Sequence, residues 1–280
     1  MRRIHGKRAL VTGAASGIGR SIAMQLAREG VHLALLDHNE VELKQLDAKA
    51  LGIDAEPLHL ICDLRDREQI QEAVQQLIRH WQGVDILINN AGVAYYGSTH
   101  AMSQDEWQQI LGVNLLAPVE LTRLLLPYLL AEPEAHIVNV SSMYGHLATN
   151  RSTAYHLTKF GLVGFSEALR AEYARSGLGV TSLCPGFVAT GLFSSMTSST
   201  DREAQPPAWI CTSSEYVASL TIRAIRRNQR TVFVGWLARL ACFVRRVWPG
   251  LFDQFYRLRR PEFFKRRIFA PVRQLIDSRS

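Results

Sequence analysis

R-A-L-V-T-G-A-A-S-G-I-G-R-S-I-A-M-Q-L-A-R-E-G-V-H-L-A-L-L-D, Arg8 to Asp37, joins an apolar run, a glycine-rich turn, a helical period and a second apolar run. Arg8–Thr12 reads as a buried strand, the next segment as a helix through Arg28 that stops at Gly30, and Val31–Leu36 as a second strand ending at Asp37. Strand, helix and strand in that order are the repeat unit of an α/β protein with a parallel sheet.

The glycines sit where that unit needs them. Gly13, Gly17 and Gly19 follow a strand and open a helix, the context in which a glycine-rich loop carries meaning. Their spacing is G-x-x-x-G-x-G rather than the standard G-x-G-x-x-G. A plain structural turn is one reading. The other is a backbone cradle for a pyrophosphate whose charge meets the helix N-terminus. Asp37 follows about twenty residues later, where a carboxylate can bond the ribose 2′-hydroxyl of NAD and repel the 2′-phosphate of NADP. No Lys or Arg stands at 16 or 38 to offset it, since these are Ser16 and His38, although a protonated His38 would soften the preference. Asp37 is also placed to cap the next helix, but Asn39 with Glu42 makes a capping box there and leaves Asp37 available.

The pattern continues downstream. Ala55–Ile61 reads as a strand ending in Cys62-Asp63-Leu64, and Asp66 with Gln69 caps a helix to about His80, which leaves Asp63 free. Val84–Ile88 is a fourth apolar strand running into Asn89-Asn90-Ala91-Gly92. Amides followed by small residues suit hydrogen bonding and close approach of a ligand, though Asn and Gly are also ordinary loop residues. Gln104–Leu130 has a helical period, with Asn114 among Val113, Leu115 and Leu116, so a buried amide there needs partners. Pro118 predicts a kink one turn later.

His136–Val140 is a further strand, followed by S-S-M-Y-G-H-L-A-T-N-R-S-T-A-Y-H-L-T-K, Ser141 to Lys159, which enters a helix near Ser152. Tyr155 and Lys159, four apart, share a helix face, and Ser142 lies at the strand's carboxyl end, where open α/β sheets hold ligands. A phenol, an ammonium and a hydroxyl suit proton exchange with an alcohol. A free phenol has a pKa of about 10, and a cation about 4 Å away at an effective dielectric near 20 is worth roughly 4 kcal/mol, or about three pKa units. Lys159 is therefore expected to bring Tyr155 toward neutral pH, where acid–base catalysis is most efficient. Taken alone, Y-x-x-x-K is equally an ordinary helical pair.

Taken together, T-G-A-A-S-G-I-G at 12–19, Asp63, N-N-A-G at 89–92, Asn114, Ser142, Y-x-x-x-K and Pro185-Gly186 resemble, in order and spacing, the short-chain dehydrogenases/reductases over about residues 6–235. The resemblance implies an α/β, doubly wound Rossmann fold with a seven-stranded parallel sheet and a bound nicotinamide cofactor. It implies a catalytic set of Asn114, Ser142, Tyr155 and Lys159. Tyr155 would be the acid/base, and Lys159 would lower its pKa and hold the nicotinamide ribose. Ser142 would orient the substrate, and Asn114 would hold a water of the proton relay. It implies a cofactor surface of Gly13, Ser16, Gly17, Ile18, Gly19, Asp37, Asp63 (against adenine), Leu64, Asn90 and Gly92. Tyr155, Lys159, Pro185, Gly186, Val188 and Thr190 complete that surface, with NAD expected over NADP. A dimer or tetramer is the corresponding expectation for assembly.

Residues 191–214 resemble the family's variable lid. Leu192, Phe193, Met196, Trp209 and Ile210, with Tyr95, Tyr96, Met143, Tyr144, Leu147 and Phe187, predict a lipophilic pocket for a secondary alcohol or ketone, unless these aromatics are core. The four cysteines, Cys62, Cys184, Cys211 and Cys242, lack C-x-x-C spacing, which argues against a zinc site or a disulfide framework and suits a reducing, cytoplasmic setting. Charge is uneven: residues 222–280 hold 15 Lys or Arg against 3 Asp or Glu, a net of +12, leaving −5 for residues 1–221 of the chain's +7. A catalytic domain over 1–235 is therefore expected to carry a basic, aromatic-rich, amphipathic extension over 236–280. That extension either packs on the body or a partner subunit or lies on an anionic membrane surface. No nucleic-acid module supports a third use. Two function classes stand at this point: an NAD-linked alcohol dehydrogenase or ketone reductase, with an NADP-dependent carbonyl reductase as its nearest rival, and a non-enzymatic binding or membrane-associated protein on the same fold.

Overall fold

The computed structural model describes residues 1–190, 197–198, 207–251 and 254. Strands are β1 (Arg8–Thr12), β2 (His32–Asp37), β3 (Leu58–Ile61), β4 (Ile86–Asn89), β5 (Tyr95–Tyr96), β6 (Ala135–Val140), β7 (Leu178–Pro185), β8 (Thr197–Ser198) and β9 (Thr231–Val234). Helices are α1 (Gly17–Arg28), α2 (Glu40–Lys44), α3 (Ala48–Leu51), α4 (Arg67–Trp81), α5 (Gln104–Leu111), α6 (Ala117–Ala131), α7 (Thr153–Glu172), α8 (Ser214–Arg227) and α9 (Trp236–Val247). The chain forms two compact units, Met1–Arg239 and Leu240–Ser280.

Seven strands form one parallel sheet in the order β3-β2-β1-β4-β6-β7-β9, and β5 pairs with β8 in a separate two-stranded ribbon. The chain winds outward from β1 through β2 to β3, then returns to the other side of β1 and winds outward again. The carboxyl ends of β1 and β4 therefore diverge at a topological switch point, the crevice where such sheets bind ligands.

Both faces are covered, which is why the strands read as continuous apolar runs rather than alternating ones. Ala9, Val11, Leu33 and Leu35 point to one side and pack with Ile22 and Leu26 of α1 and Val217 and Ile225 of α8. Leu10, Ala34, Leu36 and Leu87 point to the other and pack with Leu77 of α4 and Leu121, Leu125 and Leu129 of α6. The helical stretch Gln104–Ala131 is long and apolar enough to cross a membrane by length and composition. Its leucines at 121, 125 and 129 are instead almost wholly buried in this second core.

The long helix departs from expectation at one place. Just before Pro118 the ladder widens into a π-helical stretch at Gly112–Leu116, and Pro118 sits in the first turn of α6. Asn114 occupies the widened turn.

At the opposite edge of the sheet, Asp85 ties β1 to the entry of β4. It accepts from Lys7 Nζ at 2.7 Å, Arg8 Nε at 2.9 Å and the Arg8 backbone N–H at 2.9 Å. Burial pushes this carboxyl up, but the bonds from Lys7 and Arg8 outweigh that and hold it below the ordinary carboxylate value. A depressed folded pKa contributes stability that is present above the unfolded value and lost as pH falls through the folded one. Asp85→Asn is expected to lower urea-unfolding stability by about 1–3 kcal/mol at neutral pH. The difference from the parent should shrink toward zero in acid; an equal difference at both pH values would remove the ion pairs from the account.

Candidate active site

The loop after β1 is built by close backbone approach. Gly13 and Gly17 have φ of +64° and +54°. A Cβ on Gly19 would stand 2.0 Å from the Gly13 carbonyl oxygen, and one on Gly13 would stand 2.8 Å from Ala91 Cα, so neither position admits a side chain. Ser16 precedes α1 without capping it through its side chain, and the first turn has no acidic residue. The first amides of α1 thus lack a side-chain acceptor, as an anion-receiving helix start requires. Ile18 packs against the core beneath, with Ala14 and Ala15.

Asp37 closes this cradle from β2. One carboxylate oxygen accepts from Ala15 N at 3.0 Å, and the other from Asn39 N at 3.0 Å with His38 Nδ1 3.1 Å away. A carboxylate has about four acceptor positions, so capacity for a ribose diol remains beside these bonds. Asn39 caps α2 by accepting from Glu42 N. Asp66 caps α4 as expected, which leaves Asp63 off the cap; its carboxylate is held by Arg65 Nε at 3.0 and 2.9 Å and by Nη2 at 2.5 Å. The chain turns after Asp63 so that Arg65 N also reaches its carboxylate, at 2.9 Å, which folds the guanidinium back onto it. Both side chains are solvent-accessible, so this pair is a weak and exchangeable lock. Leu64 turns inward to the core.

Thr12 and Asn90 join the two diverging strand ends. The Thr12 hydroxyl donates to Ile88 O and accepts from the backbone N–H groups of Asn90 (2.9 Å) and Ala91 (3.0 Å). The Asn90 amide donates to Thr12 O at 2.9 Å and Gly13 O at 3.2 Å. Beyond it, a Cβ on Gly92 would lie 3.4 Å from Asn114 Oδ1 and 3.6 Å from Lys159 Nζ, so this glycine lies beside two of the residues expected to be catalytic.

Lys159 and Asn114 are buried, and Ser142 nearly so. Lys159 Nζ donates to Val140 O at 2.9 Å and lies 5.5 Å from the centre of the Tyr155 ring. The Ser142 hydroxyl accepts from Tyr144 N at 3.1 Å and stands near enough to Tyr155 to lower its pKa. The side chain of Asn114 makes three bonds: it accepts from Val93 N at 2.8 Å and donates to Val93 O at 2.8 Å and Thr158 Oγ1 at 3.3 Å. The expected depression of Tyr155 by Lys159 is not what the geometry yields. Burial pushes Tyr155 up to about 12, against the lowering hydrogen bond from Ser142. Burial also pulls Lys159 down to about 8. The ammonium donates one of its three N–H groups to the Val140 carbonyl, and desolvation acts on both groups.

Aromatic rings flank Tyr155. Tyr144 meets it edge-on at 6.4 Å, and Tyr144 also packs on Phe187 at 6.3 Å and His156 at 4.9 Å. Tyr95, by contrast, is buried with Met102, Ile110 and Ala154 in a small cluster of its own. Pro185 ends β7, Gly186 N bonds Val234 O, and Val188 is buried in the core. Thr190 returns to the glycine loop, with its methyl 3.4 Å from where a Gly17 Cβ would be. Of the lid residues, Trp209 is exposed, while Leu192, Phe193 and Met196 lie outside the described residues. Sequence reasoning missed Thr12, Arg65 and the buried chain from Asn89 through Asn139 to Ser166. An asparagine inside the apolar run 136–140 was the one visible signal of that chain.

The sequence matches the family model for short chain dehydrogenase over residues 7–201. It is 35% identical over 204 residues to Oxidoreductase UcpA of Escherichia coli K12, covering 72% of this chain and 77% of the relative. It is 31% identical over 252 residues to Estradiol 17-beta-dehydrogenase 11 of Rattus norvegicus, covering 89% and 82%. A short chain dehydrogenase/reductase from Burkholderia phymatum, solved in complex with NAD, superposes with a TM-score of 0.79 at 28% identity, covering 90% of this chain and 96% of that one.

Thr12→Val keeps the shape of the residue and strands the amides of Asn90 and Ala91. It is expected to cost roughly 1–3 kcal/mol in urea unfolding. A variant as stable as the parent would show that this hydroxyl does not join the strand ends.

Proposed function

This chain belongs to the short-chain dehydrogenase family of oxidoreductases, and from that premise we propose that it moves a hydride between NAD and a lipophilic secondary alcohol or its ketone. Tyr155 serves as general acid and base. The observation that carries the reading is the convergence of Ser142, Tyr155 and Lys159, walled by Tyr144 and Phe187, beside the glycine loop. The residues fit a dinucleotide: the loop closes tightly at Gly13 and Gly19, and the first amides of α1 beyond it have no side-chain acceptor, as a pyrophosphate at a helix start requires. Asp37 faces that cradle as an acceptor for a ribose hydroxyl. When bound, the nicotinamide supplies the hydride chemistry, and the protein supplies position and protons.

Ser142 holds the substrate oxygen by hydrogen bond, beside the phenol that exchanges a proton with it. Tyr155, raised to about 12, is protonated at neutral pH, the form that donates to a ketone oxygen as it gains charge. Alcohol oxidation needs the opposite form, so it is base-assisted. Lys159 keeps the phenol's surroundings cationic only below about 8. The side chain of Asn114 straps the Val93 segment to the π-helical turn, and its amide oxygen keeps a second acceptor position for a water of the proton relay. A hydrophobic substrate is supported by the aromatic wall and by the relative named as an estradiol dehydrogenase.

Incubation with NAD and a panel of lipophilic secondary alcohols should give reduced cofactor, and Tyr155→Phe should lower kcat by about 100-fold or more. Turnover that survives in that variant would sink the assignment. Reductive kcat/KM should stay level at neutral pH and fall above about 8 as Lys159 loses its proton, whereas the oxidative rate should climb with pH. Parallel profiles in the two directions would count against Tyr155 as the shared acid and base. Asp37→Ser should weaken NAD and improve NADP, measured as a ratio of kcat/KM values; an unchanged ratio would remove Asp37 from cofactor choice.

A further inference from the structure

The second unit, Leu240–Ser280, differs in charge from the rest of the chain. It carries 10 Lys or Arg and 3 Asp or Glu, a net of +7, so residues 1–239 sum to zero and the chain's whole net charge of +7 lies here. The same stretch holds eight aromatic residues, including Phe255, Tyr256, Phe263 and Phe264, interleaved with Arg257, Arg259, Arg260, Lys265, Arg266 and Arg267.

Its described portion is amphipathic in an unusual sense. Leu240, Phe243 and Val247 of α9 are spaced by three and four residues and so share one face, and they are about half exposed, at 50%, 62% and 47%. Trp248 and Leu251, just beyond the helix, are exposed as well. At about 100° per residue, Arg245 falls opposite the stripe and Arg246 at its margin. Single exposed apolar residues are common on protein surfaces, but a contiguous stripe of them marks a place of contact.

We propose that Leu240–Ser280 binds the surface of an anionic lipid bilayer. The Leu240–Phe243–Val247 stripe enters the headgroup boundary, and the basic residues pair with lipid phosphates and carboxylates. Charge complementarity decides between occupants. A second copy seated on this segment would set one +7 patch against another, and residues 1–239 carry no net charge to draw it in. A polyanion such as duplex DNA would satisfy the arginines but leave the leucine and aromatic stripe in water. An anionic interface meets both needs, because basic side chains bury their stems and keep their charges at headgroup level. Lipid binding would hold the protein where lipophilic substrates partition. The inference itself depends only on the second unit and stands whatever the substrate proves to be.

The test is flotation of the full-length protein with phosphatidylcholine vesicles, with and without phosphatidylserine. Phosphatidylserine should raise binding by at least about tenfold, and high salt should reverse most of that gain. Leu240→Glu with Phe243→Glu, both at exposed positions, should abolish flotation without changing circular dichroism. Arg266→Gln with Arg267→Gln should weaken it by severalfold. Equal binding to neutral vesicles, or an unchanged double glutamate variant, would overturn the proposal. So would binding to duplex DNA with no vesicle binding. A dimer in light scattering that the glutamate variant splits, again with no vesicle binding, would reassign the stripe to a subunit contact.

Discussion

The hydroxyl of Thr12 is bonded at the one place where the sheet's winding reverses, and the site depends on that junction. It accepts from two amides at the end of β4 and donates to a carbonyl of the same strand, while Asn90 reaches back to the carbonyls of Thr12 and Gly13. The crevice between β1 and β4 therefore has walls that are joined at the base and open above. The glycine loop then closes on itself at a distance that excludes any Cβ at Gly19. From this anchored edge the other groups are displaced by only a few ångströms, since Gly92 touches the surroundings of both Asn114 and Lys159.

The electrostatics of the site follow from how it is buried rather than from which charges it contains. A lysine four residues from a tyrosine suggests a depressed phenol on Coulomb's law alone. Packing puts the ammonium against a backbone carbonyl, buries the lysine and half-buries the tyrosine. Desolvation opposes charge on each, so the phenol rises and the ammonium falls. The result is a proton held on the tyrosine and a lysine close to titration, a state suited to giving a proton to a forming alkoxide. Asn114 shows the same principle in its neutral form: burial obliges its amide to find three partners, and those partners fasten a loop to a helix.

Legibility varied by residue for physical reasons. The strand at 8–12 was readable to the residue, because a central strand covered on both faces is largely apolar between its ends. The helix caps at Asn39 and Asp66 were readable because a cap needs a short acceptor at a fixed offset. Arg65 was not, since an exposed arginine near an aspartate has many places to go, and only the turn after Asp63 folds it back. The π-helical turn at Gly112–Leu116 was not legible, because widening the hydrogen-bond ladder leaves no signature in residue type or period.

The order of chemical groups along the chain was determined by sequence alone: glycines after the first strand, an acid after the second, amides after the fourth, then a hydroxyl, a phenol and an amine around the next strand and helix. Local rules of period, capping and backbone freedom act over a few residues, so they are written in the sequence. The reach of Thr190 to Gly17, the bond from Asn89 to Asn139 and the burial that sets the charges of Tyr155 and Lys159 were decided only by the tertiary structure. Those depend on distances between segments far apart in the chain and on how much water packing removes, and neither is a property of any local stretch.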